Sequence, residues 1–172
     1  MASCGSQSQD AHEPSGKFKV SIVKASFPGK QKLAKRSTMV ITVKNVDSRT
    51  IPDITVTVNS FDRREKNSEL ADPNRPVFVI NTGPGGGESA NQATSALGPL
   101  APGRTKTFKW SVTAVQAGPY KVGYEVSAGL YGKARAVDST GSVPRGEFAG
   151  TISNAAPNSR VNFDNGRTVQ GG

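Results

Sequence analysis

The chain has 172 residues, which is enough for one domain with a sizeable core, and hydrophobic residues make up 34% of it. No apolar run approaches the roughly 20 residues that span a bilayer, and no hydrophobic segment follows Met1, so we expect a soluble chain without a signal peptide. The only cysteine, Cys4, excludes an intramolecular disulfide, and the 19 glycines and 11 prolines favour short strands and turns over helices.

Positive charge is distributed unevenly along the chain. There are 22 Lys and Arg residues against 13 Asp and Glu residues. Residues 17–36 contain seven basic residues and no acidic one: Lys17, Lys19, Lys24, Lys30, Lys32, Lys35 and Arg36. Such a field attracts nucleic acid, acidic wall polymers or anionic lipid. An ordinary solvated basic surface explains the same charges without a ligand, so both interpretations stay open.

The first half of the chain predicts a tether followed by strands. Residues 1–16 are small and polar and predict a disordered tether. In the strand predicted for residues 17–27, the apolar side chains change phase between Ile22 and Val23, which indicates a bulge or a switch of sheet. Residues 38–46 and 54–61 alternate apolar and polar side chains with a period of two, as half-buried antiparallel strands do.

The second half predicts further strands separated by turns. Residues 62–76 predict a loop, residues 77–80 a short edge strand, and residues 81–95 a flexible glycine-rich segment. Strands within residues 105–128 place Trp110, Tyr120 and Tyr124 in the core, and residues 129–132 predict a hairpin loop that leads to a last strand.

The pattern predicts an all-β sandwich of about seven strands over residues 17–138. Residues 139–172 form a C-terminal extension, with a candidate extra strand at residues 148–152 and a candidate hairpin at residues 160–169.

Three segments carry a resemblance to a bacterial family. Residues 38–45 and 51–58 read TMVITVKN and IPDITVTV, and they resemble early strands of bacterial extracellular immunoglobulin-like domains. Residues 97–126 read LGPLAPGRTKTFKWSVTAVQAGPYKVGYEV, and the spacing of their Pro-Gly, Trp, Gly and Tyr residues resembles cell-adhesion-related, CARDB-like domains. The resemblance implies an immunoglobulin-like sandwich of two antiparallel sheets at a cell surface. It supplies no site residues, because a fold alone does not specify a function.

The sequence around Cys4 resembles the end of a lipoprotein signal. Small residues precede Cys4 and a polar segment follows it, so Cys4 is a candidate for lipidation. The alternative is an incidental cysteine in a disordered segment. Together with the family resemblance, this pattern predicts an extracytoplasmic protein, at the cell surface or secreted, with membrane contact only through a lipid anchor.

The sequence offers little for catalysis or for metal binding. The only histidine, His12, lies eight residues from Cys4 in the predicted tether, where no packed structure holds a base against a nucleophile. A copper site needs two His residues and a Cys residue in the folded body, which has neither. The glycine-rich residues 83–89 lack the Lys-Ser/Thr ending of a phosphate-binding loop.

The acidic residues of residues 62–76 do not form a convincing site either. Basic residues are interleaved with them, and their spacing is not that of a calcium loop. The four are Asp62, Glu65, Glu69 and Asp72. We therefore expect no enzymatic activity, no metal and no cofactor.

Two groups of residues are candidates for contact with a ligand. Lys30, Lys32, Lys35 and Arg36 are the candidates for contact with a polyanion. Tyr131 lies in the predicted hairpin loop, and Lys133 and Arg135 follow it. These three residues are candidates for contact with a sugar or an acidic polymer. The sequence thus predicts a non-catalytic surface module for adhesion, protein binding or spacing, with an unknown protein or polysaccharide partner. The alternative is a polyanion-binding domain for nucleic acid, wall polymer or anionic lipid.

Overall fold

Every regular element that the structure describes is a β-strand. The structure is a computed structural model, and it describes residues 13–59, 61–64, 74–85, 93–154, 159–161 and 168–170. The strands are β1 (Gly16–Ser26), β2 (Lys30–Lys32), β3 (Arg36–Asn45), β4 (Thr55–Asn59), β5 (Asp62–Arg64), β6 (Asn74–Pro76), β7 (Phe78–Thr82), β8 (Thr94–Ala96), β9 (Thr105–Ala114), β10 (Gly118–Ser127), β11 (Ala134–Val137), β12 (Arg145–Ser153), β13 (Ser159–Val161) and β14 (Thr168–Gln170).

The main body is a sandwich of two five-stranded sheets. The first sheet has the strand order β11-β1-β3-β9-β7, and the second has the order β2-β12-β10-β4-β8. Most neighbouring strands are antiparallel, but β1 runs parallel to β11 and β2 runs parallel to β12. Two small ribbons, β5 with β6 and β13 with β14, are separate from the sheets. The predicted all-β, immunoglobulin-like sandwich is confirmed, but the two sheets that the structure describes contain ten strands where about seven were expected.

Alternating apolar side chains from both sheets fill one interior. Met39 and Ile41 of β3 and Phe108 of β9 are completely buried, and they pack with Val122 of β10 in the second sheet. The aromatic residues predicted for the core, Trp110, Tyr120 and Tyr124, are also buried. Each large apolar side chain that is fully buried stabilises the fold by about 1.5–3 kcal/mol, so this interior is the main source of stability.

The predicted irregularity in β1 is a bulge. The register of β1 against β3 shifts between Ile22 and Lys24, and Val23 is left exposed. The strand stays in the first sheet through the bulge and leaves it only after Ser26.

Several segments differ from the sequence prediction. Residues 129–132 do not close a hairpin, because β11 pairs with β1 in the first sheet whereas β10 belongs to the second. The predicted loop of residues 62–76 contains the β5–β6 ribbon, and β8 lies at the end of the predicted flexible segment. β12 is an inner strand of the second sheet, so the sandwich continues to Ser153, beyond the predicted boundary at Asp138.

A buried amide and a charged pair hold the corner between β3 and β4. The Nδ2 group of Asn45 donates to the carbonyls of Arg49 and Leu100, at 2.8 and 2.7 Å. The carboxylate of Asp47 accepts the Lys19 backbone N–H at 3.0 Å and the Arg49 Nε–H at 3.2 Å. The hydrogen bond from the Arg49 side chain, followed by that from the Lys19 backbone, holds the pKa of Asp47 well below its ordinary value.

We expect Asp47 to make stability depend on pH. Its folded-state pKa lies below the unfolded value of about 4, so its contribution is complete above that value and is lost as the pH falls further. Asp47→Asn should therefore differ most from the wild type near neutral pH. In urea titrations, the difference in unfolding free energy should narrow between about pH 5 and about pH 2. Ser48→Ala, a neutral change next to Asp47, is the control, and a pH-independent difference for Asp47→Asn would contradict the expectation.

Candidate functional site

After β1, the chain crosses from the first sheet to the second. β1 ends at Ser26, and the buried ring of Phe27 packs edge-on against Phe78 and Tyr120, with centroid distances of 5.2 and 5.7 Å. The Tyr120 hydroxyl donates to the Pro28 carbonyl. These contacts fix the direction in which the chain enters the second sheet.

Gln31 is the buried centre of the short edge strand β2. Its Nε2 group donates to the Pro28 carbonyl at 2.9 Å and to the Tyr120 hydroxyl at 3.2 Å. Its Oε1 atom accepts from the Ser37 hydroxyl at 2.6 Å. Burial raises the pKa of Tyr120, so the hydroxyl stays protonated and can donate to Pro28. One side-chain amide therefore joins β2, β3 and β10.

Strand β12 places glycines opposite the two tyrosines of β10. Tyr120 pairs with Gly150, and Tyr124 pairs with Gly146. A Cβ atom on Gly150 would lie 2.2 Å from the Gly29 carbonyl oxygen and 2.6 Å from the Tyr120 hydroxyl. No side chain fits at this position without moving the Tyr120 ring or the crossing segment.

The turn between β2 and β3 is held against the end of β9. Ala34 has a φ of 60°, a left-handed conformation that costs a residue with a Cβ about 1–2 kcal/mol. Its N–H donates to the Ala114 carbonyl at 2.8 Å, and the Ala114 N–H donates to the Lys35 carbonyl at 3.4 Å. These bonds stabilise the turn and fix the point at which Lys35 and Arg36 reach the surface.

A groove of about 740 Å³ lies along these segments. All four residues predicted to contact a polyanion line it: Lys30, Lys32, Lys35 and Arg36. Hydroxyl groups line it as well, from Ser37, Thr38, Thr151 and Ser153, and no carboxylate is among the described residues that line it. In the described part of the chain, none of the four cations forms a salt bridge. The structure thus brings the predicted residues together as a positive surface, which we call the basic groove.

The structure separates two of the other cations of residues 17–36, Lys17 and Lys19, from this groove. Lys17 and Lys19 pair with Arg135 and Val137 of β11 at the opposite end of β1. At about 3.3 Å per residue, Lys17 and Lys19 lie roughly 30 and roughly 23 Å before the end of β1 at Ser26.

The second predicted group lies on a loop that the N-terminal segment holds in place. The carboxylate of Glu13 accepts the backbone N–H groups of Tyr131 and Ala134, at 3.0 and 3.2 Å. The Lys133 carbonyl accepts the Gly16 N–H at 3.0 Å. Tyr131, Lys133 and Arg135 are exposed, but they lie at the end of the sandwich opposite the basic groove. Glu13 belongs to the predicted tether, whose residues 13–16 are bound to the sandwich.

Several predicted residues lie outside the described part of the chain. They are Cys4, His12, Glu65, Glu69, Asp72 and residues 86–89. Among the residues that are described, no group of three or more His, Cys, Asp or Glu side chains is close enough to hold a metal ion. The same residues include no helix with the length and apolar character needed to cross a membrane.

Comparison with solved structures identifies the fold, although no family model and no curated protein matches the sequence. The CARDB domain of the PF1109 protein from Pyrococcus furiosus, crystallised in complex with di-metal ions, gives a TM-score of 0.50 at 11% identity, over 86% of this chain and 99% of that one. This chain has a CARDB-like immunoglobulin fold. Native α2-macroglobulin from Escherichia coli, from domain MG7 to the C-terminus, gives a TM-score of 0.50 at 12% identity, over 90% of this chain and 21% of that one.

Sequence reasoning missed part of the site in this CARDB-like sandwich. It found the four cations from their charge, but it did not identify Gln31 or the lining hydroxyl groups. The alternation Lys30-Gln31-Lys32 is a signal for an edge strand with an inward amide, although the segment is only three residues long. Ser153 is 122 residues from Gln31, and no local pattern indicates that their strands are neighbours.

We expect Gln31→Leu to destabilise the CARDB-like sandwich by about 1–3 kcal/mol, because the Ser37 and Tyr120 hydroxyls lose a buried partner. Urea unfolding followed by the fluorescence of Trp110 measures the change. Lys32→Leu, at the exposed neighbouring position, is the control and should stay within about 0.5 kcal/mol of the wild type. Equal effects of the two substitutions would show that the Gln31 network does not stabilise β2.

Proposed function

We propose that this chain is a non-catalytic, surface-associated binding module that holds an anionic partner in its basic groove. The observation that carries the proposal is the convergence of four cations from β2, β3 and their connecting turn on one concave surface, with no carboxylate among its described lining residues. Clustered cations in a cleft raise the local concentration of negatively charged ligands and speed their association.

The chemistry of the lining favours recognition of charge over recognition of bases or sugar rings. In the described part of the chain, no aromatic side chain lines the groove, whereas proteins that bind single-stranded nucleic acid stack bases on aromatic rings. The groove instead offers three ammonium groups, one guanidinium and several hydroxyls. The guanidinium of Arg36 can bind a carboxylate or a phosphate with two parallel hydrogen bonds.

The position of the N-terminal segment supports a role at a surface. β10 begins at Gly118, which pairs with Ile152 next to Gln31, and it ends at Ser127, beside the loop that binds Glu13. Its 10 residues separate the two ends by about 30 Å. A chain held at a cell surface through residues before Glu13, with Cys4 as the proposed lipid attachment, presents the basic groove on the far side.

The proposal is tested by titrating the protein with two polyanions, a single-stranded oligodeoxynucleotide and polyglutamate, at low and at moderate salt. We expect affinity to fall steeply with salt. Lys30→Ala/Lys32→Ala should weaken the binding and should reduce the slope of log K against log salt by about 1.5, because each cation contributes about 0.7–0.9 to that slope.

The matched control is Lys17→Ala/Lys19→Ala, which removes two exposed lysines with the same spacing from the other end of the sandwich. It has the same net charge as the groove variant and should bind almost as tightly as the wild type. Absence of binding to both polyanions at low salt, or an equal loss in the two variants, would refute a groove-specific anionic partner.

The proposed location is tested on native protein. We expect it in the cell-envelope fraction, with the mass of Cys4 increased by a lipid group. Recovery in the cytosol would end the surface role, whereas an unmodified Cys4 in envelope material would remove only the lipid anchor.

A further inference from the structure

Strand β2 has an open edge that faces away from β12. The Gly29 carbonyl accepts the Thr151 N–H at 2.8 Å, and the Leu33 N–H donates to the Ser153 carbonyl at 2.9 Å. Successive residues of a strand direct their backbone groups to opposite sides, so those of Lys30 and Lys32 point away from β12. The Lys32 carbonyl accepts from Lys35 in the turn, but the N–H groups of Lys30 and Lys32 and the Lys30 carbonyl have no partner among the described residues.

The first residues of β3 have a second open edge beside the same groove. β1 pairs with β3 only as far as Val40, since β1 ends at Ser26. The Lys35 carbonyl bonds to β9, so the backbone groups of Arg36 and Thr38 point to the side that β1 has left. Residues of both open edges, with their cationic side chains, line the basic groove.

We infer that the partner in the basic groove is an extended, acidic segment of polypeptide, which pairs with β2 as an additional strand of the second sheet. This inference rests on the proposed function and names its ligand. Main-chain hydrogen bonds to an exposed sheet edge supply affinity, and side-chain contacts supply specificity. Here the unpartnered backbone groups of Lys30 and Lys32 form the template, and the surrounding cations select carboxylates.

Charge also decides between this partner and a second copy of the same chain. Lysines on an edge strand prevent the edges of identical molecules from pairing, because like charges would lie opposite each other. The same lysines attract a strand of opposite charge. Nucleic acid satisfies the cations but cannot complete the regular backbone pairing of a strand, so the open edge favours a polypeptide.

A synthetic peptide of about ten alternating Glu and Thr residues, with blocked ends, tests the inference. Two isomers carry N-methyl groups on all the Thr residues or on all the Glu residues, so that each loses the donors of one strand edge while its charge is unchanged. We expect at least one isomer to bind at least tenfold more weakly than the parent peptide, a difference of about 1.4 kcal/mol. Equal affinity of all three peptides would overturn the inference.

A pair of protein variants tests the same edge from the other side. Lys32→Ala removes the charge and keeps the backbone N–H, whereas Lys32→Pro removes both and leaves the bonds of Gln31 and Leu33 to β12 available. With circular dichroism and Tm confirming that both variants fold, Lys32→Pro should bind the parent peptide about fivefold more weakly than Lys32→Ala.

Amide hydrogen exchange gives a readout in the wild-type protein that needs no substitution. The amides of Lys30 and Lys32 should exchange at least about tenfold more slowly when the peptide is bound. Binding of the peptide without slower exchange at these two amides would overturn the inference.

The results distinguish a failure of the proposed function from a failure of strand addition alone. If neither the polyanions nor the peptide binds at low salt, the proposed function fails and the inference fails with it. If polyglutamate or the oligodeoxynucleotide binds and Lys30→Ala/Lys32→Ala weakens it, but N-methylation and Lys32→Pro have no effect, only strand addition is refuted.

Discussion

The carbonyl of Pro28 accepts hydrogen bonds from the Tyr120 hydroxyl and the Gln31 amide, and the geometry of the groove depends on this contact. Ordering a residue costs about 1–2 kcal/mol of conformational entropy, whereas a net hydrogen bond returns about 0.5–1.5 kcal/mol. β2 has three residues, so its few ladder bonds to β12 do not hold it in place. The buried hydrogen bonds around Gln31 supply the remaining stabilisation that β2 needs, and they set the position of both flanking lysines.

The same crossing explains why backbone groups remain open at the groove. When β1 leaves the first sheet after Ser26, it uncovers the start of β3, and β2 is too short to do more than extend the edge of the second sheet. Elsewhere in the sandwich the buried Asn45 side chain is satisfied by three hydrogen bonds. The open groups lie at a solvated, cationic surface, where water can satisfy them.

Sequence reasoning predicts the parts of this fold that carry a strong local pattern. The long strands β3, β9 and β10 alternate buried and more exposed side chains over seven or eight positions, so their inward side chains could be identified directly. β2 and β8 have three residues each, too few for any period to appear. The pairing of β1 with β11 was also missed. After β10 the chain crosses to the other sheet through the same kinds of turn residue that close a hairpin, so the sequence does not distinguish the two.

The residues of the candidate site also fall into those that the sequence indicates and those that only the folded structure reveals. The clustered charge in the sequence pointed to Lys30, Lys32, Lys35 and Arg36. These residues are close in space because they are close in sequence, on either side of a short turn. The amide that positions them was missed, because its partners come from the crossing segment, β3 and β10. The role of Gly150 was missed for a related reason, since it depends on the space left between the Gly29 carbonyl and the Tyr120 ring.

The separation between the two ends of the sandwich bears on how the basic groove can work beside a charged surface. At physiological ionic strength the Debye length is about 8 Å, whereas the loop that binds Glu13 lies about 30 Å from the groove. In the proposed surface arrangement, anionic lipid at the Glu13 end is therefore screened from the groove cations. Lys17 and Lys133 lie at the Glu13 end of the sandwich. The length of the sandwich thus separates two sets of cations by more than the screening distance, so in the proposed arrangement the groove keeps its charge for a partner on the side away from the surface.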